Sequence, residues 1–514
     1  MNFESILFKN INEKEVLETV VPAFFPDLNL DQVINAVTSR KEEYNLKPFF
    51  YTSLNYPDAI YYRHEIMRDL ENPALFKYIR SFAENMHNVR QQLVQIEKLY
   101  YKYHKERLLL DIVLTYCEAL ISLSNQLSRI SLNSLGFLAF REYLADYVQS
   151  SHFLALQSES RRIIAGLSSI KYGIHMKDLR VQVLEYVSET DYTVEVEEAF
   201  AKFRQGKVKD YSSGFPHLHL QDMNHVEAKI LDGVASLHPG IFLDLDTFCE
   251  RNSNFRAETI TVFDREIQFY ISYLEYIAPI RQTGLKFCYP QVSKTSKAIF
   301  DYEGFDLALA RKLAGEKTPV VVNDFFLEGK ERVFVVSGPN QGGKTTFART
   351  FGQLHYLAGI GCPVPGREAQ LFLYNKLFTH FEKEEDINNL RSKLEDDLVR
   401  IYDILSGATP DSIVIMNEIL TSTTLQDGIF LSKNIMEKIV RLDLLCVWVT
   451  FIDEIASYSE KTVSMVGTVM PDNPALRTFK IIRSPADGLA YAMSVAEKYR
   501  LTYDSLKERI NCRI

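Results

Sequence analysis

Cysteine, tryptophan and excess positive charge are what this sequence has least of. Its 514 residues hold six cysteines (117, 249, 288, 362, 446 and 512) and one tryptophan. The cysteines are scattered, with no C-x-x-C pair, which speaks against a zinc site or a disulfide framework and for reduced thiols. No apolar run approaches the length needed to cross a bilayer. Met1-Asn2-Phe3-Glu4-Ser5 lacks the basic start and apolar stretch of a secretory signal. A soluble, cytoplasmic protein without a membrane partner is the expectation. Lysine and arginine (58) are outnumbered by aspartate and glutamate (67), a net charge of −9. That excludes a uniformly basic nucleic-acid coat but leaves room for a local basic surface.

What is present is ordinary globular composition, 46% hydrophobic and 24% charged. The length is too great for one core and implies roughly two to four domains. From Ala74 to Leu135 there is neither glycine nor proline, so long helices joined by short turns are expected there. A second helix is predicted from about Val262 to Ile277, with Phe263, Ile267, Ile271 and Leu274 forming one buried stripe. Between them, Leu179, Val181 and Val183 alternate with polar residues as in a half-exposed strand, and Thr193, Val194 and Val196 continue the β-like signal. Lys202, Arg204, Lys207 and Lys209 then cluster around Gly206. They suit either a phosphate-contacting tip or a solvated turn. Tyr100, Tyr101 and Tyr103 amid Lys98, Lys102 and Lys105 read as an amphipathic helix face. From about residue 311 short apolar strands (Val333–Val336, Ser412–Met416, Leu444–Val449) alternate with helices, the signature of an α/β domain with a mainly parallel sheet.

That last region carries the chemistry. Gly338-Pro339-Asn340-Gln341-Gly342-Gly343-Lys344-Thr345-Thr346 fits G-x-x-x-x-G-K-[ST] at every fixed position. An apolar strand precedes it, and a predicted amphipathic helix with Phe347, Phe351, Leu354 and Ala358 follows. Glycines allow backbone N–H groups to turn towards phosphate oxygens, and the helix N-terminus adds partial positive charge. Lys344 is placed to reach the β- and γ-phosphates of ATP and Thr345 to ligate Mg²⁺. The competing reading is a glycine-rich turn with a surface lysine. Ser412-Ile413-Val414-Ile415-Met416 ends in Asn417 and Glu418, at the strand edge where ligands bind in α/β sheets. Glu418 is thus a candidate general base, or else a solvated carboxylate at a strand end.

These motifs resemble the MutS family of DNA-repair ATPases, within the ABC-type class. The family's loop reads G-P-N-M-G-G-K-S-T; its metal strand reads D-E-I-G-R-G-T-S-T-x-D-G, and Asn417 to Gly428 follow that spacing without a gap. Leu377-Phe378-Thr379-His380, Glu385-Asp386-Ile387 and Arg391-Ser392 are similar to its I-F-T-R … D-D-L … R-S-T-F. The resemblance gives Ser392 a role at the nucleotide of a partner subunit and gives Asn323 a place in the nucleotide approach. Ala490 to Ala496 are similar to the closing segment of the ATPase domain.

The implied architecture is mixed: a helical lever or core region over 1–165, a clamp-like insertion over 166–260, a helical return over 261–310 and a P-loop ATPase domain over 311–514. The implied function is a homodimeric, DNA-binding ATP hydrolase using ATP and Mg²⁺, with structure-dependent rather than sequence-dependent DNA recognition in repair. Four positions depart from the family. Asn417 replaces the metal-strand aspartate, and Phe451 replaces the histidine of a T-H pair. Glu382 and Leu390 replace signature glycines. Slow hydrolysis with intact ATP binding is therefore expected. The family's F-x-E mismatch wedge is not found, nor is most of its terminal dimerisation element, so the resemblance does not carry classical mismatch recognition over, and clamping of mismatched, branched or recombining DNA is what it implies. An ATP-gated DNA clamp with little turnover and a P-loop ATPase acting on a protein partner are the alternatives.

Overall fold

The computed structural model describes residues 3–10, 17–177, 180–187, 223–382, 392–470 and 473–486, with a few positions between 501 and 510. Leu179, the Thr193–Val196 signal, the cations at 202–209, Glu385–Ile387, Leu390, Arg391, Ala490–Ala496 and Cys512 lie outside the described residues. The chain divides into two compact units. One comprises Met1–Phe3, Asn72–Leu132 and Leu138–Asp264, the other Glu4–Glu71, Asn133–Phe137 and Arg265–Ile514.

The first unit is mainly helical. The glycine- and proline-free stretch forms helices Pro73–Ile96 and Lys102–Leu127 with a short turn between them, as its composition predicts. Pro73 sits at the first helical position, and the Asn72 side chain accepts from the Ala74 N–H. This is the usual N-terminal chemistry for a missing helical donor. Helix Lys102–Leu127 corrects one expectation: by length and composition alone it could cross a membrane. Half of its apolar window is nevertheless buried inside the fold, Leu110, Val113, Tyr116 and Leu120 among the residues concealed. That is how the core helix of a water-soluble unit also looks.

The tyrosine–lysine cluster is corrected as well. The helix begins only at Lys102, and Tyr101 precedes it with its hydroxyl donating to Asp232 at 2.7 Å. Tyr103 packs edge-on against Phe242, and Lys102 pairs with Asp246 at 2.7 Å. Strands Tyr172–Lys177 and Arg180–Glu185 pair as an antiparallel ribbon. The predicted alternation fails there: Val181 is exposed while Val183 and Leu184 are both half-buried. Val183 packs on helix His225–Leu237, where a Cβ on Gly233 would stand 3.0 Å from it, whereas Val181 is 46% exposed.

The second unit is built on a six-stranded sheet. Its elements are β1 (Val333–Ser337), α1 (Lys344–Gly359), β2 (Lys376–Phe381), α2 (Lys393–Gly407), β3 (Ser412–Asn417), α3 (Leu425–Leu442), β4 (Leu445–Val449), β5 (Thr462–Met470) and β6 (Asn473–Arg483). The order across the sheet is β2-β3-β4-β1-β5-β6. Every pairing is parallel except the last, β5 with β6. β1, β3 and β4 are buried at every position, as central parallel strands covered on both faces must be. Trp448, Val414, Met416, Val333 and Val335 form one core with Ile435, Met436 and Ile439 of α3 and with Leu394 and Leu398 of α2.

The helices predicted to be amphipathic are buried nearly all round. In Glu258–Arg281 the stripe Phe263, Ile267, Ile271 and Leu274 is buried, but so are Glu266, Gln268, Phe269 and Tyr273. Glu266 is paid for by donors from the N-terminal residues: Ser5 Oγ at 2.6 Å and the Ile6 N–H at 3.0 Å. In α1 nearly the whole helix is hidden, because N-terminal residues cover the side the sheet leaves free. Arg349 Nε donates to the Asp27 carbonyl (2.9 Å), Gln353 Nε2 to the Leu28 carbonyl (2.9 Å) and the Tyr356 hydroxyl to the Phe50 carbonyl (2.6 Å). A second, four-stranded sheet joins Gln291–Ser293, Glu368–Phe372, Ile299–Gly304 and Asn323–Leu327 in that order.

Candidate nucleotide site

The turn from β1 into α1 needs its glycines for definite reasons. Gly338 has φ 119°, and a Cβ there would stand 2.8 Å from the Gly467 nitrogen on neighbouring β5. A Cβ on Gly342 would meet the Pro339 carbonyl oxygen at 2.8 Å. Gly343 (φ 95°) begins α1 with no side-chain cap, so no side chain satisfies the first-turn N–H groups. Gln341 also has positive φ, 59°. The result is a backbone cradle at a helix N-terminus, the geometry that binds phosphate.

Lys344 is 6% exposed and folds back over the cradle. Its ammonium donates to the Gly338 carbonyl (3.1 Å), the Pro339 carbonyl (3.2 Å) and Asn340 Oδ1 (3.3 Å), and stands 3.6 Å from Glu418 Oε1. Burial pushes its pKa below the ordinary lysine value; Glu418 opposes that shift and Arg477 adds to it. Thr345 Oγ1 donates to Asn417 Oδ1 at 2.9 Å across the gap between α1 and β3. Glu418, just past the strand end, has φ 53° and donates its N–H to the Val449 carbonyl at 2.9 Å. Left-handed backbone at a non-glycine residue costs about 1 kcal/mol or more and marks positions that the surroundings over-determine. Leu420 repeats it at φ 60°. Thr450 is buried, with its N–H bonded to the Val336 carbonyl at 3.0 Å, whereas Phe451 is 55% exposed.

The loop from Gly338 to Thr345, Asn417 and Glu418 thus come together. Thr346 stands one step along α1, its carbonyl accepting from Thr350 Oγ1. Asn323 does not touch the loop. Its Nδ2 donates to the Phe479 carbonyl (3.2 Å) and its Oδ1 accepts from the Ile481 N–H (2.8 Å), which fixes β6 where Phe479 overhangs Gly343. Ser392 is also apart. It caps α2, accepting from the Glu395 N–H at 3.3 Å, and lines an apolar recess of about 330 Å³ with Leu394, Leu398 and Tyr402.

Two features escape the sequence. Arg477 on β6 donates Nε–H to the Asn340 carbonyl at 3.2 Å, bringing a second cation to the phosphate loop from 137 residues away. His380 is fully buried and its Nε2 lies 3.0 Å from Asp397 Oδ1, while the Leu420 backbone also bonds Asp397. That chain ties α2 to the loop after Glu418. Desolvation raises the Asp397 pKa, but the hydrogen bond and charge of His380, the Leu420 N–H and Arg400 together outweigh it, so its carboxyl is held below the usual range.

The residues fit a divalent cation only in company. Thr345 and Asn417 offer two neutral oxygens, and no group of three or more His, Cys, Asp or Glu side chains among the described residues could hold a metal ion. A magnesium ion at this edge needs phosphate oxygens and water to complete its shell.

Residues 334–506 match the family model of MutS domain V. Over that span the chain is similar to MutS-family proteins. Similar proteins include the DNA mismatch repair protein MutS of Orientia tsutsugamushi, strain Boryong, 30% identical over 217 residues, which is 41% of this chain and 24% of that protein. The same protein of strain Ikeda matches equally in identity and coverage. The MutS protein homolog him-14 of Caenorhabditis elegans is 27% identical over 185 residues, 35% of this chain and 22% of that protein. The chain therefore matches less than a quarter of these relatives' length.

Proposed function

We propose that the protein binds ATP with Mg²⁺ at this loop and hydrolyses it slowly, coupling the cycle to the clamping of mismatched, branched or recombining DNA in repair. The observation that carries the nucleotide reading is the convergence of Lys344, Thr345, Asn417 and Glu418 at one sheet edge. Lys344 exchanges its loop carbonyls for β- and γ-phosphate oxygens. Thr345 and Asn417 face the metal, and Glu418 orients the attacking water. DNA and a homodimer come from the family likeness, as does Ser392 acting on the partner's nucleotide. So do a lever over 1–165, a clamp-like insertion over 166–260, a helical return over 261–310 and the cytoplasmic location.

A second reading, an ATP-gated clamp with little turnover, is favoured by one pair of observations. Phe451 projects outward with no polar atom to meet a γ-phosphate, and Asn417 carries no charge to fix the metal.

The test is steady-state ATP hydrolysis with and without duplex and branched DNA, against Lys344→Ala. Turnover that DNA accelerates and the variant loses supports the ATPase. Binding without turnover selects the clamp. Turnover indifferent to every DNA points to a protein partner instead.

A further inference from the structure

Glu418 and Leu420 both hold left-handed backbone, on either side of Ile419. Two such non-glycine residues so close together carry a conformational cost, and their surroundings must hold the turn against relaxing. Part of the hold is apolar, since Ile419 and Leu420 are buried in the core against which Leu394 and Leu398 of α2 pack. Apolar packing is non-directional and does not choose between backbone conformations. Hydrogen bonds do.

The Glu418 N–H donates to the Val449 carbonyl of β4 at 2.9 Å, and the Leu420 N–H donates to the Asp397 carboxylate. Asp397 is itself held. His380 Nε2 lies 3.0 Å from its Oδ1, and because an ionised carboxylate only accepts, that nitrogen donates. His380 is fully buried near the end of β2, opposite Met416 of β3 in the sheet register, so it cannot follow a moving carboxylate. Arg400, one turn further along α2, donates to the Phe381 carbonyl at 3.4 Å and ties the helix to the same strand end. The two hydrogen bonds described for Asp397 thus join β2 to the turn that carries Glu418.

We infer that Asp397, oriented by His380, is a positioning residue for ATP hydrolysis: it holds the Glu418–Leu420 turn so that the Glu418 carboxylate faces the attacking water. This role rests on the hydrolysis reading above. Releasing the Leu420 N–H lets the turn relax towards right-handed backbone and carries Glu418 with it. A misplacement of about 1 Å costs on the order of 100-fold in rate. ATP binding depends on Lys344, Thr345 and the loop backbone, none of which is among the described partners of Asp397. Loss of the carboxylate therefore separates turnover from affinity.

The experiment measures kcat for ATP, and separately the affinity for a non-hydrolysable ATP analogue by calorimetry, in the full chain. Asp397→Ala is expected to lower kcat about 30- to 100-fold while analogue affinity stays within about 3-fold. Asp397→Asn, whose Oδ1 still accepts the Leu420 N–H, is expected to stay within about 5-fold of wild type in kcat. In a Glu418→Gln background Asp397→Ala is expected to add less than about 3-fold, because the group it positions is already gone. Should Asp397→Ala fail to fold, His380→Ala is expected to lower kcat about 10-fold and His380→Gln, which keeps a donor near Nε2, only about 3-fold. Unchanged kcat in the alanine variants, a parallel loss of analogue affinity, or an undiminished effect on top of Glu418→Gln overturns the inference. If wild type binds the analogue without turning ATP over, or Glu418→Gln keeps full kcat, the hydrolysis reading itself fails, and this inference with it.

Discussion

At the C-terminal edge of the six-stranded sheet, Gln341, Glu418 and Leu420 hold left-handed backbone and Lys344 is spent on loop carbonyls. At the opposite edge a single carboxylate, Asp443, draws in Lys297 (3.3 Å), Arg332 (3.2 Å) and Lys461. Lys297 and Lys461 also donate to the carbonyls of Asp443 (2.6 Å) and Val440 (3.1 Å) at the end of α3, where the helix dipole favours cations. Both edges concentrate charge, yet only one leaves its groups in arrangements that a ligand would improve. The lesson is that polarity alone does not mark a site. Nor does left-handed backbone, which Asp443 also holds at φ 56°; replaceable partners do.

That contrast can be broken in steps, beginning with the largest effect. Lys344→Ala is expected to weaken ATP binding on the order of 100-fold, as the loss of charge-assisted bonds implies, with the melting temperature nearly unchanged. Trp448, the one tryptophan, is buried in β4 two residues before Thr450 and offers an intrinsic fluorescence signal for that titration. Equal affinities in wild type and variant would remove the distinction between the edges.

Gly338→Ala is next. Its new methyl meets β5 in a backbone region closed to alanine, so it is expected to cost about 2 kcal/mol of stability in denaturant titration and also to impair ATP binding. Stability unaffected by this change would mean that β1 and β5 are less closely set.

Asp443→Asn, at the other edge, is expected to cost about 1 kcal/mol, a figure held down because the carboxylate is a third exposed and solvent screens its pairs, and to leave ATP affinity alone. Desolvation raises the Asp443 pKa, but Lys461, Arg332 and Lys297 together outweigh it, so the folded value lies below the ordinary one. A depressed acid pKa gives stability that is present above the unfolded value near 3.9 and is lost as pH falls through the folded value. The wild-type advantage over Asp443→Asn should therefore stay constant from about pH 5 to 8 and shrink only below about pH 4. An advantage that instead fades as pH rises would contradict the assignment.

The smallest effect sharpens the site edge itself. Phe451→His puts a donor on an exposed position and is expected to raise kcat a few-fold without changing ATP affinity, read by steady-state kinetics. No gain would place the limit on turnover elsewhere, with Asn417 the next residue to test.

Much of the phosphate edge is legible in the sequence because it is local. A strand, six loop residues and a helix start fall within one short stretch, and its glycines answer to backbone clashes at Gly338 and Gly342 and to positive φ at Gly343. β3 and its polar end read equally well, since a fully buried parallel strand is a continuous apolar run. What escapes is contact at long range. Arg477 looks like any basic residue on an edge strand until β6 folds beside Asn340. His380 and Asp397 look like a strand end and a helix surface until they pair. The helix stripes predicted for α1 and Glu258–Arg281 were too narrow because periodicity detects one buried face and cannot see the second covering layer. Polar residues such as Gln353 and Glu266 can be buried there once carbonyls and N–H groups from the N-terminal residues meet them.

That covering layer has a consequence for how the protein is made. Arg349 on α1 meets Asp27 across 322 residues of chain. On a ribosome adding roughly 5–20 residues per second, the segment around Asp27 waits tens of seconds before its partner helix exists. During that interval Phe25, Leu28 and Phe50, all fully buried in the finished fold, have no α1 to shelter them. The unit that holds the phosphate loop is thus completed only once α1 exists, and the residues around Asp27 are placed well after their own synthesis.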